Sequence, residues 1–104
     1  MSGITYDPEL SDVNNDGYVS GSVAVSTTQV EAKVGTSRLT GREVLTITNK
    51  GPNPIYYGPT GVTVATGDVL YKGQFVSFPL GSSIAVFMIC DTAQSAVAIV
   101  QELA

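Results

Sequence analysis

The feature that most constrains the fold is a strand, a turn and a second strand within residues 43–63. The first segment, residues 43–49, alternates polar and apolar side chains and places Leu45 and Ile47 on one face. A period of two is typical of a β-strand with one buried face. A turn rich in Gly, Pro and Asn follows, and a second apolar segment ends at Gly58. The stretch therefore predicts two strands joined by a tight turn.

The rest of the chain repeats this pattern at a spacing of about ten residues, which gives about eight short strands and no segment of clear helical period. The 14 Val and 11 Thr agree with this interpretation, because β-branched side chains fit a pleated sheet. We predict an all-β fold, an antiparallel β-sandwich of jelly-roll-like topology over residues 22–104. The side chains expected to face its core are Leu45, Ile47, Val76, Phe78, Phe87, Ile89, Val97 and Ile99.

Residues 1–21 differ from the rest in charge. The first 20 residues contain Asp7, Glu9, Asp12 and Asp16 and no basic residue, whereas residues 21–104 contain five basic and five acidic residues. The whole net charge of −4 therefore lies in this segment. We predict an extended acidic N-terminal arm that becomes ordered when it binds a partner.

Within the arm, Asp12, Asn14 and Asp16, followed by Gly17, match the beginning of an EF-hand type calcium loop. The twelfth loop position is Val23 instead of a carboxylate. These three oxygen-bearing residues are a candidate calcium site, and a plain Asx turn is the alternative.

The composition argues against catalysis. The chain contains no histidine and no G-x-S-x-G motif, and Cys90, its single cysteine, lies in an apolar run where we expect it to be buried. We predict that the protein is not an enzyme and has neither catalytic residues nor a cofactor. An acidic chain without a basic, aromatic patch is not expected to bind nucleic acid. No apolar stretch reaches the ~18 residues of a membrane span, and we expect synthesis in the cytoplasm.

The low charge indicates a protein partner. Only 13% of the residues are charged and 43% are hydrophobic, which is lean for the surface of a small free monomer. We therefore expect a homo-oligomer, or attachment to a larger assembly. The interface candidates are the two adjacent tyrosines of the second strand, two arginines that we expect to form ion pairs at the rim of an interface, and two acids of the arm. They are Tyr56, Tyr57, Arg38, Arg42, Asp7 and Glu9.

Three patterns in residues 38–103 resemble small virion proteins of tailed bacteriophages. They are R-x-x-L-x-I-x-N-x-G at Arg42 to Gly51, Y-x-G-x-x-G-V-T at Tyr56 to Thr63, and G-x-x-L at Gly67 to Leu70, all before a late apolar strand. Many proteins of this kind are head decoration (cement) or head-fibre proteins. The resemblance implies a trimeric β-sandwich that binds the major capsid protein on the outside of an assembled head. It implies no catalytic residue.

Two other functions remain open at this point. A phage tail, neck or receptor-binding structural protein has the same kind of strand and turn patterns. A calcium-dependent carbohydrate-binding module is the alternative from a different class, although the chain has no tryptophan to form a sugar platform.

Overall fold

The computed structural model describes residues 17–104, which form two packed β-sheets and contain no helix. The larger sheet has the strand order β1-β8-β3-β6, and the smaller sheet has the order β2-β7-β4-β5. The eight strands are β1 (Tyr18–Val25), β2 (Val30–Glu31), β3 (Val44–Pro52), β4 (Ile55–Gly58), β5 (Asp68–Leu70), β6 (Phe75–Pro79), β7 (Phe87–Ile89) and β8 (Ala96–Leu103).

The pairing order is that of a jelly roll. All neighbouring strands are antiparallel, and β1 pairs with β8, β2 with β7, β3 with β6 and β4 with β5. These four pairs arise when one long hairpin is rolled up. The pairs β3–β8 and β4–β7 then join them into the two four-stranded sheets. The predicted all-β sandwich of jelly-roll-like topology is confirmed.

The first strand begins earlier than the predicted domain boundary. Strand β1 starts at Tyr18, and residues 18–21, which the charge pattern assigned to the arm, pair with residues 100–103 of β8. The sandwich therefore includes residues before position 22. The arm residues Asp7, Glu9, Asp12 and Asp16 lie outside the described residues.

The core lies between the sheets and is centred on β3. In β3, threonines alternate with the apolar residues, so only one face of the strand is apolar. Leu45 and Ile47 lie on this face and are fully buried, as predicted. Ile55 of β4 and Met88 of β7 meet them from the smaller sheet, and Val100 of β8 lies in the same layer. Each fully buried aliphatic side chain of this size stabilises the fold by about 1.5–3 kcal/mol.

In β6, the two predicted core residues lie on the core side. Val76 and Phe78 are partly buried and pack against the central cluster, which agrees with the prediction. Phe75, the residue before them, faces outward and is exposed.

The inward face of β7 is the opposite of the predicted one. Phe87 and Ile89 are half-buried on the outer side, and the alternate residues Val86, Met88 and Cys90 face the core. The prediction for Phe87 and Ile89 is wrong because both faces of this strand are apolar, so alternation alone gives no preference for either. The predicted burial of Cys90 is confirmed, and this burial raises the pKa of its thiol.

In β8, too, the inward face is the opposite of the predicted one. Val97 is 42% exposed and Ile99 is half-buried, whereas the inward positions carry Ala96, Ala98, Val100 and Glu102. The prediction for Val97 and Ile99 is therefore wrong. The physical reason is the inward position of Glu102, because a strand of period two turns all alternate residues to the same side.

Candidate functional site

One ion pair is buried between the sheets. Arg42 and Glu102 are 3% and 0% exposed, and Arg42 Nη1 lies 2.7 Å from Glu102 Oε2. The other Arg42 donors bond to backbone carbonyl oxygens, those of Leu80, Gly81 and Ile84. Glu102 also accepts hydrogen bonds from two backbone N–H groups, those of Val34 and Leu39.

This pair holds three parts of the chain together. It ties the end of β8 to the β2–β3 and β6–β7 connections, and each charged group has several hydrogen-bond partners, as a buried charge requires. Arg42 was a candidate for an exposed interface, and its burial removes it from that set. Glu102 was not identified from the sequence, although a single acid within an otherwise apolar strand is the signal that points to it.

A second group of charges lies at the surface. Arg38 Nε donates to Glu31 Oε2, and Lys33 Nζ lies 3.6 Å from Glu31 Oε1. Partial burial raises the pKa of Glu31, but the hydrogen bond from Arg38 and the positive charges of Lys33 and Arg38 outweigh it, so the pKa lies below its ordinary value. Arg38 also donates to the Ser82 carbonyl oxygen. The geometry matches the ion-pair role expected of Arg38, which stays an interface candidate because it is half-exposed.

The two adjacent tyrosines of β4 lie on opposite sides of the smaller sheet. Tyr57 packs against the core, with its ring centroid 6.2 Å from that of Phe78. Burial, together with the negative charge of Asp68, raises the pKa of the Tyr57 hydroxyl. Tyr56 is opposite Ile89 and Val69 in register, on the outer side of the sheet. Only Tyr56 therefore faces a possible partner across this sheet.

The first sequence pattern of the virion-protein resemblance consists of buried residues. Every named position in R-x-x-L-x-I-x-N-x-G, from Arg42 to Gly51, is buried. Asn49 Nδ2 donates to the carbonyl oxygens of Asn53 and Leu70, and its Oδ1 accepts from the Gly51 N–H. Gly51 has a φ of +92°, which favours glycine. This pattern therefore fixes a turn and a core and does not form a binding site.

The second and third patterns also describe packing. Val62 is buried against Gly58 and Gly67, where an added Cβ would lie 3.0 Å and 2.8 Å from Val62 Cγ2. Leu70, the last residue of G-x-x-L, belongs to the core. The small glycines let the β4–β5 connection fold back onto the sheet.

The outer face of the larger sheet is broad and almost uncharged. Four of the seven large hydrophobic side chains exposed in the described residues lie there: Tyr18, Phe75, Val97 and Leu103. The strand register arranges this face in rows across the sheet, one of them formed by Tyr18, Leu103, Val44 and Pro79. The next row is polar but uncharged and contains Ser20, Gln101, Thr46 and Ser77.

Four polar side chains of these rows form two hydrogen bonds with one another. Gln101 Nε2 donates to the Tyr18 hydroxyl at 2.8 Å, and the Thr46 and Ser77 hydroxyls are 2.9 Å apart. Lys50, at the end of β3, is the one charged residue among the outward-facing strand residues of this face. We call this surface, formed by the outward residues of β1, β8, β3 and β6, the neutral face. It is the candidate interaction surface of the domain.

The structure brings no metal site together within residues 17–104, where no group of three potential His, Cys, Asp or Glu ligands occurs. The candidate calcium residues Asp12, Asn14 and Asp16 lie outside the described residues. The positions that would complete an EF-hand loop after Gly17, residues 18–23, belong to the paired strand β1.

Residues 17–104 contain no helix long and apolar enough to cross a membrane. No protein-family model matches the chain, and a search of curated proteins finds no match to it.

Proposed function

We propose that this protein is a structural component of a bacteriophage virion, a decoration (cement) protein that binds the outside of an assembled head and stabilises it without catalysis. The observation that carries the proposal is the neutral face. This face carries four of the seven large hydrophobic side chains exposed within residues 17–104 and almost no charge, which is the composition of a surface that meets another protein.

The physical chemistry of the neutral face suits a flat docking surface. The centres of protein interfaces are depleted in charged residues, because each buried charge must lose its water and find a partner. In the row Ser20, Gln101, Thr46 and Ser77, three of the four side chains already hydrogen-bond within the sheet, which reduces the number of polar atoms that a partner would leave without a bond. A coat subunit with a complementary apolar surface would therefore bind here at a low desolvation cost.

The phage assignment is supported by the resemblance of residues 38–103 to small virion proteins. The residues that carry this resemblance are core and turn residues, so they bear on the fold more than on the role. The acidic arm gives a second element of attachment, since four carboxylates without a basic residue favour a basic surface on the coat. Repeated weak contacts of this kind on a shell give tight binding through effective concentration.

A binding assay with heads assembled without this protein tests the proposal. The purified protein should sediment with such heads and saturate at a fixed number of copies. Phe75→Glu, at a position 68% exposed on the neutral face, should weaken binding at least about ten-fold, because burial would leave the new charge without a partner. The matched control is Val69→Glu, at a position 39% exposed on the smaller sheet, which should bind like the wild type.

The outcomes separate the alternatives. Binding to purified tails and not to heads would overturn the head assignment and favour the tail or neck protein. Equal loss of binding in both variants would overturn the role of the neutral face. Melting curves of both variants confirm that each is folded before it is used.

The arm is tested by deletion of residues 1–16. The deletion ends before β1, so the sandwich keeps all its strands. We expect weaker binding to heads and a smaller dependence on salt, since screening acts on the carboxylate contacts that the deletion removes. Full binding by the truncated protein would refute the role of the arm alone.

A further inference from the structure

Among the residues that the structure describes, the strand at one edge of the larger sheet lacks the features that normally prevent edge pairing. Edge strands expose unpaired N–H and C=O groups, and proteins block them with short length, charge or proline. Three of the four edges here are blocked: β2 has two residues including Glu31, β5 has three including Asp68, and β6 ends in Pro79. Strand β1 has eight residues and contains neither a charge nor a proline.

The hydrogen-bond pattern shows which backbone groups of β1 face outward. The Ala104 N–H donates to the Gly17 carbonyl oxygen at 2.7 Å, so odd-numbered residues of β1 bond to β8. The N–H and C=O groups of the even-numbered residues therefore point to the open edge: Tyr18, Ser20, Ser22 and Ala24. Within residues 17–104, no backbone hydrogen bond from another strand or loop reaches these groups.

The sequence of β1 is its own complement. Residues 19–23 read Val-Ser-Gly-Ser-Val and are palindromic about Gly21. An antiparallel strand related by a two-fold axis at Gly21 would place serine opposite serine and valine opposite valine. It would also bring all four outward-facing residues into hydrogen-bonded pairs, Tyr18 with Ala24 of the partner subunit and Ser20 with the partner subunit's Ser22.

We propose that two copies of this chain pair antiparallel through β1, with the two-fold axis at Gly21. The occupant is a second copy because strand β1 itself carries no charge, so two β1 strands bring no like charges together, and because the palindrome satisfies the isologous geometry of a two-fold contact. Half-buried Val19 and Val23 then extend the core across the junction. The two larger sheets become one eight-stranded sheet with a continuous neutral face on one side.

This pairing does not depend on attachment to a phage head. It gives a dimer instead of the trimer that the virion-protein resemblance implies, so the oligomeric state separates the two expectations. Failure of head binding would leave the dimer intact, and a monomer that binds heads would overturn the pairing alone.

Light scattering on the full chain at micromolar concentration tests the pairing. We expect twice the chain mass. Ser22→Pro removes an outward N–H that β8 does not use, so the fold should persist while the dimer dissociation constant rises about ten-fold or more. Ser22→Ala is the matched control and should stay dimeric, because it keeps the backbone group.

A second variant guards against a folding defect in the proline variant. Ser22→Lys keeps the N–H but places a charge at the junction, and it should also give a folded monomer.

Oxidation of the double variant Ser20→Cys with Ser22→Cys should cross-link two chains, because directly paired Cα atoms lie about 5.5 Å apart. Ser77→Cys, at the edge strand β6, should not cross-link.

The remaining outcomes decide for or against the β1 pairing. A wild-type monomer or trimer would overturn it. A dimer that becomes monomeric when residues 1–16 are deleted would assign the contact to the arm. A dimer that survives this deletion and dissociates with Ser22→Pro supports the β1 contact.

Discussion

Glu102 connects the end of β8 to the β2–β3 connection through its bonds to Arg42, Val34 and Leu39. It lies in the last strand, and its partner Arg42 lies before β3, so the pair joins positions far apart in the sequence. Both charges are fully surrounded by hydrogen-bonding groups of their own domain. This arrangement is a structural one, because a ligand has no access to either group.

Removing one charge of this pair should destabilise the fold strongly. Glu102→Gln leaves the Arg42 guanidinium buried without a counter-charge, and we expect a loss of about 3–5 kcal/mol in the free energy of unfolding. Urea unfolding measures it. The control is Glu43→Gln, at an exposed position, which should change stability by less than about 0.5 kcal/mol. Equal effects in the two variants would contradict the buried pair.

The contribution of Glu31 to the free energy of unfolding depends on pH. Its pKa is lower in the folded than in the unfolded chain, so its carboxylate stabilises the fold above the ordinary pKa of glutamate. This contribution is lost as the pH falls through the lowered value. The stability difference between the wild type and Glu31→Gln should therefore be larger at about pH 7 than at about pH 3. Urea unfolding at both pH values checks this, and a difference that grows on acidification would contradict it.

At the scale of the element, β8 shows how burial follows from register. Val100 is fully buried and Val97 is 42% exposed, although the two residues are three positions apart in the same strand. The same chemical change at the two sites therefore has different effects. Val100→Ala should cost about 1.5–3 kcal/mol, and Val97→Ala less than about 0.5 kcal/mol. Thermal or urea unfolding of the two variants measures the contrast, and the reverse order would show that Val97 faces the core.

The sequence predicts β3 better than it predicts β7 and β8 for a physical reason. In β3, threonines alternate with Leu45 and Ile47, so only one face can be buried. In β7 and β8 both faces are apolar, and what fixes the inward side in β8 is the contact of Glu102 with Arg42. The lone acid of β8 is a local signal, but its partner lies 60 positions away, so the sequence does not show that Glu102 faces inward.

The position of the candidate interaction surface also depends on contacts between distant parts of the chain. The low charge of the chain predicts that some surface meets a protein, but not which one. The neutral face is assembled from β1, β3, β6 and β8, and its rows exist only once the register is known. Tyr56 and Tyr57 are both interface candidates from the sequence, yet Tyr57 packs against the core.

At the scale of the whole molecule, the jelly roll presents two different outer faces. The smaller sheet is bordered by the ion pairs of Glu31, whereas the larger sheet carries the neutral face and the unblocked edge β1. Both the head contact and the dimer contact that we propose use the larger sheet, through its face and its edge.

Electron cryomicroscopy of heads with and without this protein shows where the domain lies on the virion. We expect density of a two-sheet domain on the outside of the shell, present only in heads that carry the protein, with the neutral face against the coat. Density confined to the tail, or a domain whose neutral face points to solvent, would contradict it.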